Sequence, residues 1–478
     1  MPTPSPLAAL TPHLARVQLL VPVNLPAGLA ADVARDWQAE GARPSGFEEL
    51  LPHFQRLMQP DDAAATSVCW GRHRLGSEAL ASIAARLSLG THGGTPLLAP
   101  ALQAADLTLT PSGDGLLALH LAYPASATLD EVADSFTTLR RATTARLPHD
   151  PIWTLASPAD GHRLAMEPWL PPADDSGQRR LSLQALAGAL VGLTPAAALV
   201  DVARGGFAYG HASVTLEAHP GADALEDALY RLARGVPTSF DRPPADALGV
   251  RTLAPRGNRR VAVAREAVAA ISWPSGGETA HDELRWATDR FHGIYRLLHF
   301  HVHAERMAIA SFSDRAARLA GALDPDALLA QQHAISALLV EITAYTLTLT
   351  GEECGGNGDH VAVFRALRQA HLIASQRDEL RAEIDELRAL LRAVDNARDQ
   401  LAADAERQAS KEERDFQRRI SLLAFFITPL AVVTGVLGVN VDVGDGEPML
   451  FPLGAALWVL AGAYGLSALF LGGSLRRR

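Results

Sequence analysis

The sequence predicts an α+β cytoplasmic domain followed by long helices, a stalk helix and two C-terminal transmembrane helices. Strand-like alternation is confined to about the first 280 residues, residues 361–428 contain neither glycine nor proline, and two uncharged apolar runs lie near the end. We therefore divide the chain into a mixed α/β domain at 1–280, a pair of helical arms at 281–360, a stalk helix at 361–419 and a transmembrane hairpin at 420–475.

The composition limits the compartment and the partners of this chain of 478 residues. A formal net charge of −10 disfavours nucleic acid as a partner and fits a protein that meets cations, although it also fits simple solubility. Two cysteines, Cys69 and Cys354, form neither a disulfide framework nor a zinc site, which indicates a reducing compartment. The N-terminus lacks the basic segment of a signal peptide, so most of the chain is expected in the cytoplasm.

The first 280 residues show strand and helix signals in alternation. Residues 107–123 are two period-two runs around a Pro-Ser-Gly-Asp-Gly turn and predict a hairpin. Thr128 and Glu131 have the spacing of a capping box that opens a helix. Residues 207–219 then predict a strand with a helix after it, and residues 259–273 fit either a strand or a helix.

Long helices are predicted from His281 onward. The first runs to about Leu323, and Asp324-Pro325 has the residue types that begin the next one. A single helix of about 80 residues is expected from residue 361 through the first apolar run. A heptad seam in it indicates helix association, and its positions are Leu380, Ile384, Leu387, Leu391, Val394, Leu401 and Ala405.

Two uncharged runs, 420–439 and 450–471, are each long enough to cross a bilayer. A buried helical hairpin is the alternative. Arginines before the first run and at the end of the chain predict that both termini are cytoplasmic, so that the chain is a multi-pass protein of the cell (inner) membrane. The loop at 440–449, which contains three acidic residues, would then lie on the outer side of the membrane.

One side of the first apolar run carries small or hydroxylated side chains at spacings of three and four. They are Ser421, Ala424, Thr428, Ala431, Gly435 and Gly438. Such a stripe permits close helix packing in lipid. It also suits a narrow pore, but only if several copies of the chain surround it, because one or two helices cannot enclose a channel.

The end of this run resembles the CorA family of divalent-cation channels. In that family the first transmembrane helix ends in a Pro-Leu-Thr pattern that leads to Gly-Met-Asn, and the corresponding residues here are Pro429, Leu430, Ala431, Thr434, Gly435, Gly438, Val439 and Asn440. The resemblance covers about residues 377–478, with a stalk helix, an acidic loop, a second span and a basic tail. It implies a homopentameric funnel whose stalk and first span line the conduction path.

Two departures from the pattern leave the ion open. Val439 stands where the family has methionine, and Ala431 stands where it usually has threonine. The Gly-Val-Asn variant is similar to the ZntB-like branch, which is associated with zinc. The resemblance therefore implies transport of Mg²⁺ or of Zn²⁺, Co²⁺ or Ni²⁺, with the cation as cargo and no resident cofactor.

The resemblance also implies roles for individual residues. The Asn440 amide, with carbonyl groups near Gly435 and Gly438, would contact a hydrated ion at the outer mouth, although Asn440 alone could be a helix C-cap. The acidic loop residues would form an outer cation funnel or simply a solvated loop, and they are Asp442, Asp445 and Glu447. Gln417 and Ile420 are gate candidates, although Ile420 could simply contact lipid. Ala424 and Thr428 would lie along the inner pore, and Asp404 and Asp415 are candidates for sensing metal.

A histidine-rich segment, "HFHVHAE" at 299–305, suggests a metal site. His299 and His303 share one side of a helix and could both bind a metal ion, but a third ligand would be needed. The simpler expectation places these histidines on the water-facing side of a long helix. No nucleotide-binding or hydrolase motif is present, so we expect no enzymatic activity.

Two functional hypotheses follow. In the first, copies of the chain associate in the lipid bilayer and conduct divalent cations. In the second, the chain is a membrane-anchored ligand-sensing or scaffold protein whose membrane part does not conduct. The absence of charge from the small-residue stripe fits both.

Overall fold

The computed structural model describes most of the chain as two compact units, Met1–Leu387 and Arg388–Arg478. The described residues are 12–40, 46–57, 70–91, 97–141, 151–157, 164–193, 208–237, 249–321, 328–349, 351, 353–438, 458, 461–462 and 464–466.

Alternating apolar side chains build two sheets in the first unit. The strands are β1 (Pro12–Asn24), β2 (Trp37–Ala39), β3 (Gly71–Leu75), β4 (Leu87–Thr91), β5 (Ala101–Leu109), β6 (Asp114–Ala122), β7 (Pro151–Ala156), β8 (Gln178–Leu181), β9 (Tyr209–Leu216), β10 (Arg251–Arg256), β11 (Arg259–Val263) and β12 (Ala267–Ser272). Among the described residues, nine strands form one sheet in the order β10-β11-β12-β9-β1-β6-β5-β3-β2, and β4-β7-β8 form another. Only the β9–β12 pair in these sheets is parallel.

The helices are α1 (Ala31–Ala34), α2 (Pro52–Leu57), α3 (Ser77–Arg86), α4 (Leu129–Arg141), α5 (Leu183–Val191), α6 (Ala222–Arg234), α7 (Ala280–Trp286), α8 (Arg296–Gly321), α9 (Leu328–Leu349), α10 (Gly358–Ala370) and α11 (Ile373–Gly438). A π-helix, Ala287–Tyr295, joins α7 to α8, and short 3-10 turns lie at Phe47–Glu49 and Glu167–Trp169. Local sequence sets several ends: Thr279 and Asp282 cap α7 reciprocally, and Gly235 ends α6 in the left-handed conformation.

The apolar core lies between one face of the large sheet and helices α4, α5 and α6. Val17, Leu19 and Val21 of β1 alternate toward this core and are almost fully buried. Phe136 of α4 and Leu229 of α6 belong to the same cluster. Each side chain of this size contributes about 1.5–3 kcal/mol when it is fully buried.

The opposite face of the sheet meets α8, α10 and the π-helix. Here the alternate residues of the central strands are polar, and we call this set the polar face: Gln18, Asp106, His120, His211 and Ser213. Four of the five are buried, and His120 is partly exposed. The fold therefore has an apolar layer on one side of its sheet and a polar layer on the other.

These elements confirm the α+β fold class, with a sheet-rich N-terminal domain followed by long helices. The hairpin is formed by β5 and β6, and the capping box at Thr128 and Glu131 is present. The ambiguous segment 259–273 forms two strands, β11 and β12. Asp324-Pro325, expected to begin a helix, lies outside the described residues.

The prediction of one helix from residue 361 into the apolar run is wrong. The chain turns at His371 and Leu372, between α10 and α11, where Leu372 has a φ of 56°. This left-handed conformation costs a non-glycine residue energy, and burial of the neighbouring Ile373 and His371 accompanies it. Of the predicted heptad positions, Leu380 and Leu387 are buried, whereas Leu401, in the second unit, is exposed.

Candidate functional site

A nine-residue π-helix positions the side chains that oppose the polar face. His292 lies within it, and Arg296 is the first residue of α8 directly after it. A π-helix widens the helical turn, and such segments occur frequently at functional sites. Thr288 of the same segment accepts a hydrogen bond from Arg16 of β1, with 2.8 Å between Nη1 and Oγ1. The segment therefore joins the helical layer to the central strand.

Asp106 is the centre of an ion network on the polar face. Its carboxylate lies 2.8 Å from Arg74 Nε and 2.5 Å from Arg296 Nη1, and His120 Nε2 lies 2.8 Å from Oδ2. Burial alone would raise the pKa of Asp106, but the charge of Arg296 and the hydrogen bonds from His120 and Arg74 outweigh it and hold the pKa far below its usual range. Asp106 is therefore an anion near pH 7.

His120 is held in one tautomer by this network. Gln18 Nε2 donates to His120 Nδ1 over 3.1 Å, which places the proton of the neutral ring on Nε2, 2.8 Å from Asp106 Oδ2. Arg296 Nη1 lies 3.1 Å from the same nitrogen. Burial lowers the pKa of His120, although the Asp106 carboxylate opposes the shift. Next to it, Ser213 Oγ lies 2.7 Å from His292 Nε2, which fixes the second imidazole of the site.

A cavity of about 390 Å³ opens over this network, and we call it the arginine cavity. The charged and polar residues of its wall are Arg16, Gln18, Glu40, Arg72, Arg74, Gln103, His120, Thr288, Asp289, His292 and Arg296. Glu40 pairs with Arg72 at 2.9 Å and with Arg74 at 3.1 Å. Strands β1, β3 and β6 and the π-helix each contribute to the wall, so the cavity exists only in the folded domain.

A second group of polar side chains, the histidine layer, lies along α8. It consists of His299, His303 and His371, whose rings contact the ring of Tyr209, and of His211, whose ring contacts His299. His211 Nε2 and His299 Nδ1 are 2.9 Å apart, and Arg306 donates a hydrogen bond to the Tyr209 hydroxyl. All four imidazoles are buried.

The expectation that the histidines of α8 face water is therefore wrong. His299 and His303 are buried because their side of the helix meets Tyr209 of β9 and His371 in the turn between α10 and α11, not solvent. Burial lowers the pKa of both to about 3, and electrostatic repulsion from the nearby His303 imidazole lowers the pKa of His299 further. Both rings are neutral near pH 7.

In the part of the chain that the structure describes, no three or more histidine, cysteine or acidic side chains are grouped so that they could hold a metal ion. His299 and His303 therefore remain two candidates without a recognised third ligand. Asp404 lies on α11 and pairs with Arg407 at 3.1 Å, and Asp415 is exposed on the same helix.

The predicted pore residues divide between described and undescribed parts of the chain. Gln417, Ile420, Ala424, Thr428 and Ala431 lie on α11 and are exposed in the single chain. Gly435 and Gly438 lie in its last turns. Outside the described residues are Val439, Asn440, Asp442, Asp445 and Glu447.

Across the described ranges, no helix combines the length and the apolar character needed to cross a membrane. The predicted span at 450–471 falls mostly outside those ranges.

Sequence reasoning missed the residues of the arginine cavity. The available signal was a polar residue at every second position of an otherwise apolar strand, as with Arg16 and Gln18 in "RVQLLV" and His120 in "LLALHLA". A polar residue in such a strand indicates either a water-exposed face or a buried polar layer. Only the packing of α8 against β6 and of the π-helix against β9 decides between the two.

No protein-family model matches the chain, and no curated protein matches it. Two solved structures are weakly similar. The full-length CmaX protein is 13% identical, the match covers 63% of this chain and 93% of that chain, and the TM-score is 0.14. The CorA magnesium transporter from Methanocaldococcus jannaschii is 11% identical over 59% of this chain and 94% of that chain, with a TM-score of 0.17. Scores this low do not indicate a shared fold.

Proposed function

We propose that this chain carries divalent metal cations across a membrane through a pore that several copies build together. The observation that supports the proposal most is the last part of α11. Seven apolar side chains there are each between 44% and 59% exposed in the single chain, and they are Ile420, Leu422, Leu423, Phe426, Ile427, Leu430 and Val432. Exposed apolar surface of this kind marks a membrane or protein contact. The run leads directly into the Gly-Val-Asn sequence at 438–440.

In this proposal the first span lines the path, with Ala424, Thr428 and Ala431 leaving room for a hydrated ion. A ring of Asn440 amides at the outer mouth offers neutral oxygens to a cation that keeps part of its water shell, such as Mg²⁺. A carboxylate ring at the narrowest point would hold the ion too tightly. Asp442, Asp445 and Glu447 therefore act further out, where they raise the local cation concentration.

Metal uptake tests the proposal directly. Cells that lack their own divalent-cation uptake receive the wild type, Asn440→Ala or Asn396→Ala, and accumulation of Mg²⁺, Zn²⁺, Co²⁺ and Ni²⁺ is measured. Asn396, an exposed asparagine of α11, is the matched control. We expect Asn440→Ala to lose most of the uptake and Asn396→Ala to keep it. Equal accumulation with and without the wild-type chain contradicts the proposal, and the ion that accumulates identifies the cargo.

The arginine cavity favours a second candidate. A membrane-anchored ligand sensor would need a preformed polar pocket in its N-terminal domain, and would need no conduction. In that case the chain would be membrane-bound and would take up no metal in the experiment above.

A further inference from the structure

The arginine cavity has an excess of positive charge that its own carboxylates do not neutralise. Four arginines line it, against Glu40 and Asp289 in the wall and Asp106 beneath it. Asp289 is already paired with Arg285, 3.5 Å away. Among the residues that the structure describes, five arginines are thus set against three carboxylates, an excess of two positive charges. His120 and His292 add none near pH 7, because burial lowers the pKa of each.

Arg16 accounts for one of these charges. Its guanidinium donates to the neutral Thr288 hydroxyl, and no carboxylate within the described ranges pairs with it. Arg74 is half exposed and reaches the same space from β3. Guanidinium groups from β1, β3 and α8 thus face one volume, and each presents a planar set of donors that matches the oxygens of phosphate or carboxylate.

The hydrogen bonding of the cavity wall is also incomplete. Gln18 and Arg296 both line the cavity and are more than nine-tenths buried. Gln18 Oε1 and Arg296 Nε nevertheless have no hydrogen-bond partner. Buried polar atoms are rarely left without one, and exceptions often indicate a missing water, ion or ligand.

We propose that the arginine cavity binds a small molecule bearing a dianionic phosphate or dicarboxylate group, held between Arg16, Arg74 and Arg296. The volume falls in the range of small-molecule sites, and the charge of the ligand equals the excess in the wall. Neither Glu40 nor Asp106 is available to a cation, because each already accepts from arginines. The inference does not depend on metal transport, since binding to the purified chain requires no flux.

Titration of the purified full-length chain tests this site. Inorganic phosphate, pyrophosphate and succinate are each added at constant ionic strength, with sodium chloride as the reference, and the Tm and the heat of binding are followed. We expect at least one of the three to raise the Tm in a saturable way, because a ligand that binds only the folded state stabilises it. The phosphate and succinate arms distinguish a phosphorylated ligand from a dicarboxylate.

Substitution locates the binding. Arg16→Gln removes one unpaired charge and should weaken binding about tenfold or more, since charge-assisted hydrogen bonds are the strong ones. Arg74→Gln should act in the same direction and serves as a second variant if the first folds poorly. Arg180→Gln, an exposed arginine of β8 in the other sheet, should bind like the wild type. Absence of saturable binding for all three anions, or equal affinity of the wild type and both cavity variants, overturns the proposal.

Discussion

Asp106 is the residue on which the polar face depends most, because one buried carboxylate serves Arg74, His120 and Arg296. In Asp106→Asn the buried Arg296 guanidinium would lose its carboxylate. Breaking a buried pair from one side costs about 3–5 kcal/mol, and we expect a loss of that order in the free energy of unfolding. Chemical denaturation of the purified chain near neutral pH measures it.

Asp378→Asn is the control for this measurement. Asp378 pairs with Arg381 on the exposed surface of α11, and a surface pair contributes about 0–1 kcal/mol. If Asp106→Asn costs no more than Asp378→Asn, the network around Asp106 does not stabilise the fold.

At the same scale, the sequence identified His299 and His303 as noteworthy but assigned them the wrong surroundings. Their spacing correctly places both on one side of a helix. A single sequence does not state what that side packs against, because the rings that contact His299 belong to Tyr209 and His371, which are far from it along the chain. Burial of a histidine thus follows from tertiary packing and not from helical periodicity.

At the scale of elements, β9 can pack against α4 only because one of its residues has no side chain. A Cβ on Gly210 would overlap the Phe136 ring and lie 2.8 Å from Arg140 Cδ. Gly210→Ala should therefore lower the free energy of unfolding by about 1–3 kcal/mol, the usual cost of overpacking a core. Thermal or urea unfolding measures the change.

Gly90→Ala is the matched strand control. Gly90 lies in β4, and a Cβ there would have no atom within 4 Å. Its effect should be small or slightly stabilising, since alanine has fewer conformations to lose on folding. If Gly210→Ala lowers the free energy of unfolding no more than Gly90→Ala does, the close packing of β9 against α4 does not require glycine at position 210.

Elements whose structure is determined by residues close together in sequence could be predicted. Elements that depend on contacts between residues far apart in sequence could not. The hairpin of β5 and β6 follows from its turn, and the α4 capping box follows from residues three positions apart. The π-helix and the turn at Leu372 have no comparable signal. They depend on how His292 and Ile373 are buried by other elements.

For the molecule as a whole, the buried histidines predict instability in acid. Burial lowers the pKa of His299 and His303 to about 3 and that of His360 to about 4, with His211, His292 and His371 shifted in the same direction. The unfolded chain, with imidazole pKa values of about 6.5, then binds more protons than the folded chain. The contribution of these neutral histidines to the free energy of unfolding is therefore complete above about pH 6.5. It is lost as the pH decreases below that value, by up to about 1.4 kcal/mol per pH unit for each histidine.

Urea unfolding at a series of pH values below neutrality measures this slope. His371→Phe removes a buried imidazole whose two nitrogens have no hydrogen-bond partner, and it should make the slope shallower by one proton. His333→Phe, at an exposed position of α9, is the matched control. Identical slopes in all three chains would show that protonation of the histidine layer does not drive acid unfolding.

The two ends of the large sheet have a consequence for self-association. β2 offers only three residues, and β10 carries arginines at both ends and Pro255, which has no N–H to donate. Short, charged and proline-containing edge strands resist strand-by-strand addition of a second chain. Copies of this protein that assemble through other surfaces are thereby kept from stacking into continuous, fibre-like sheets.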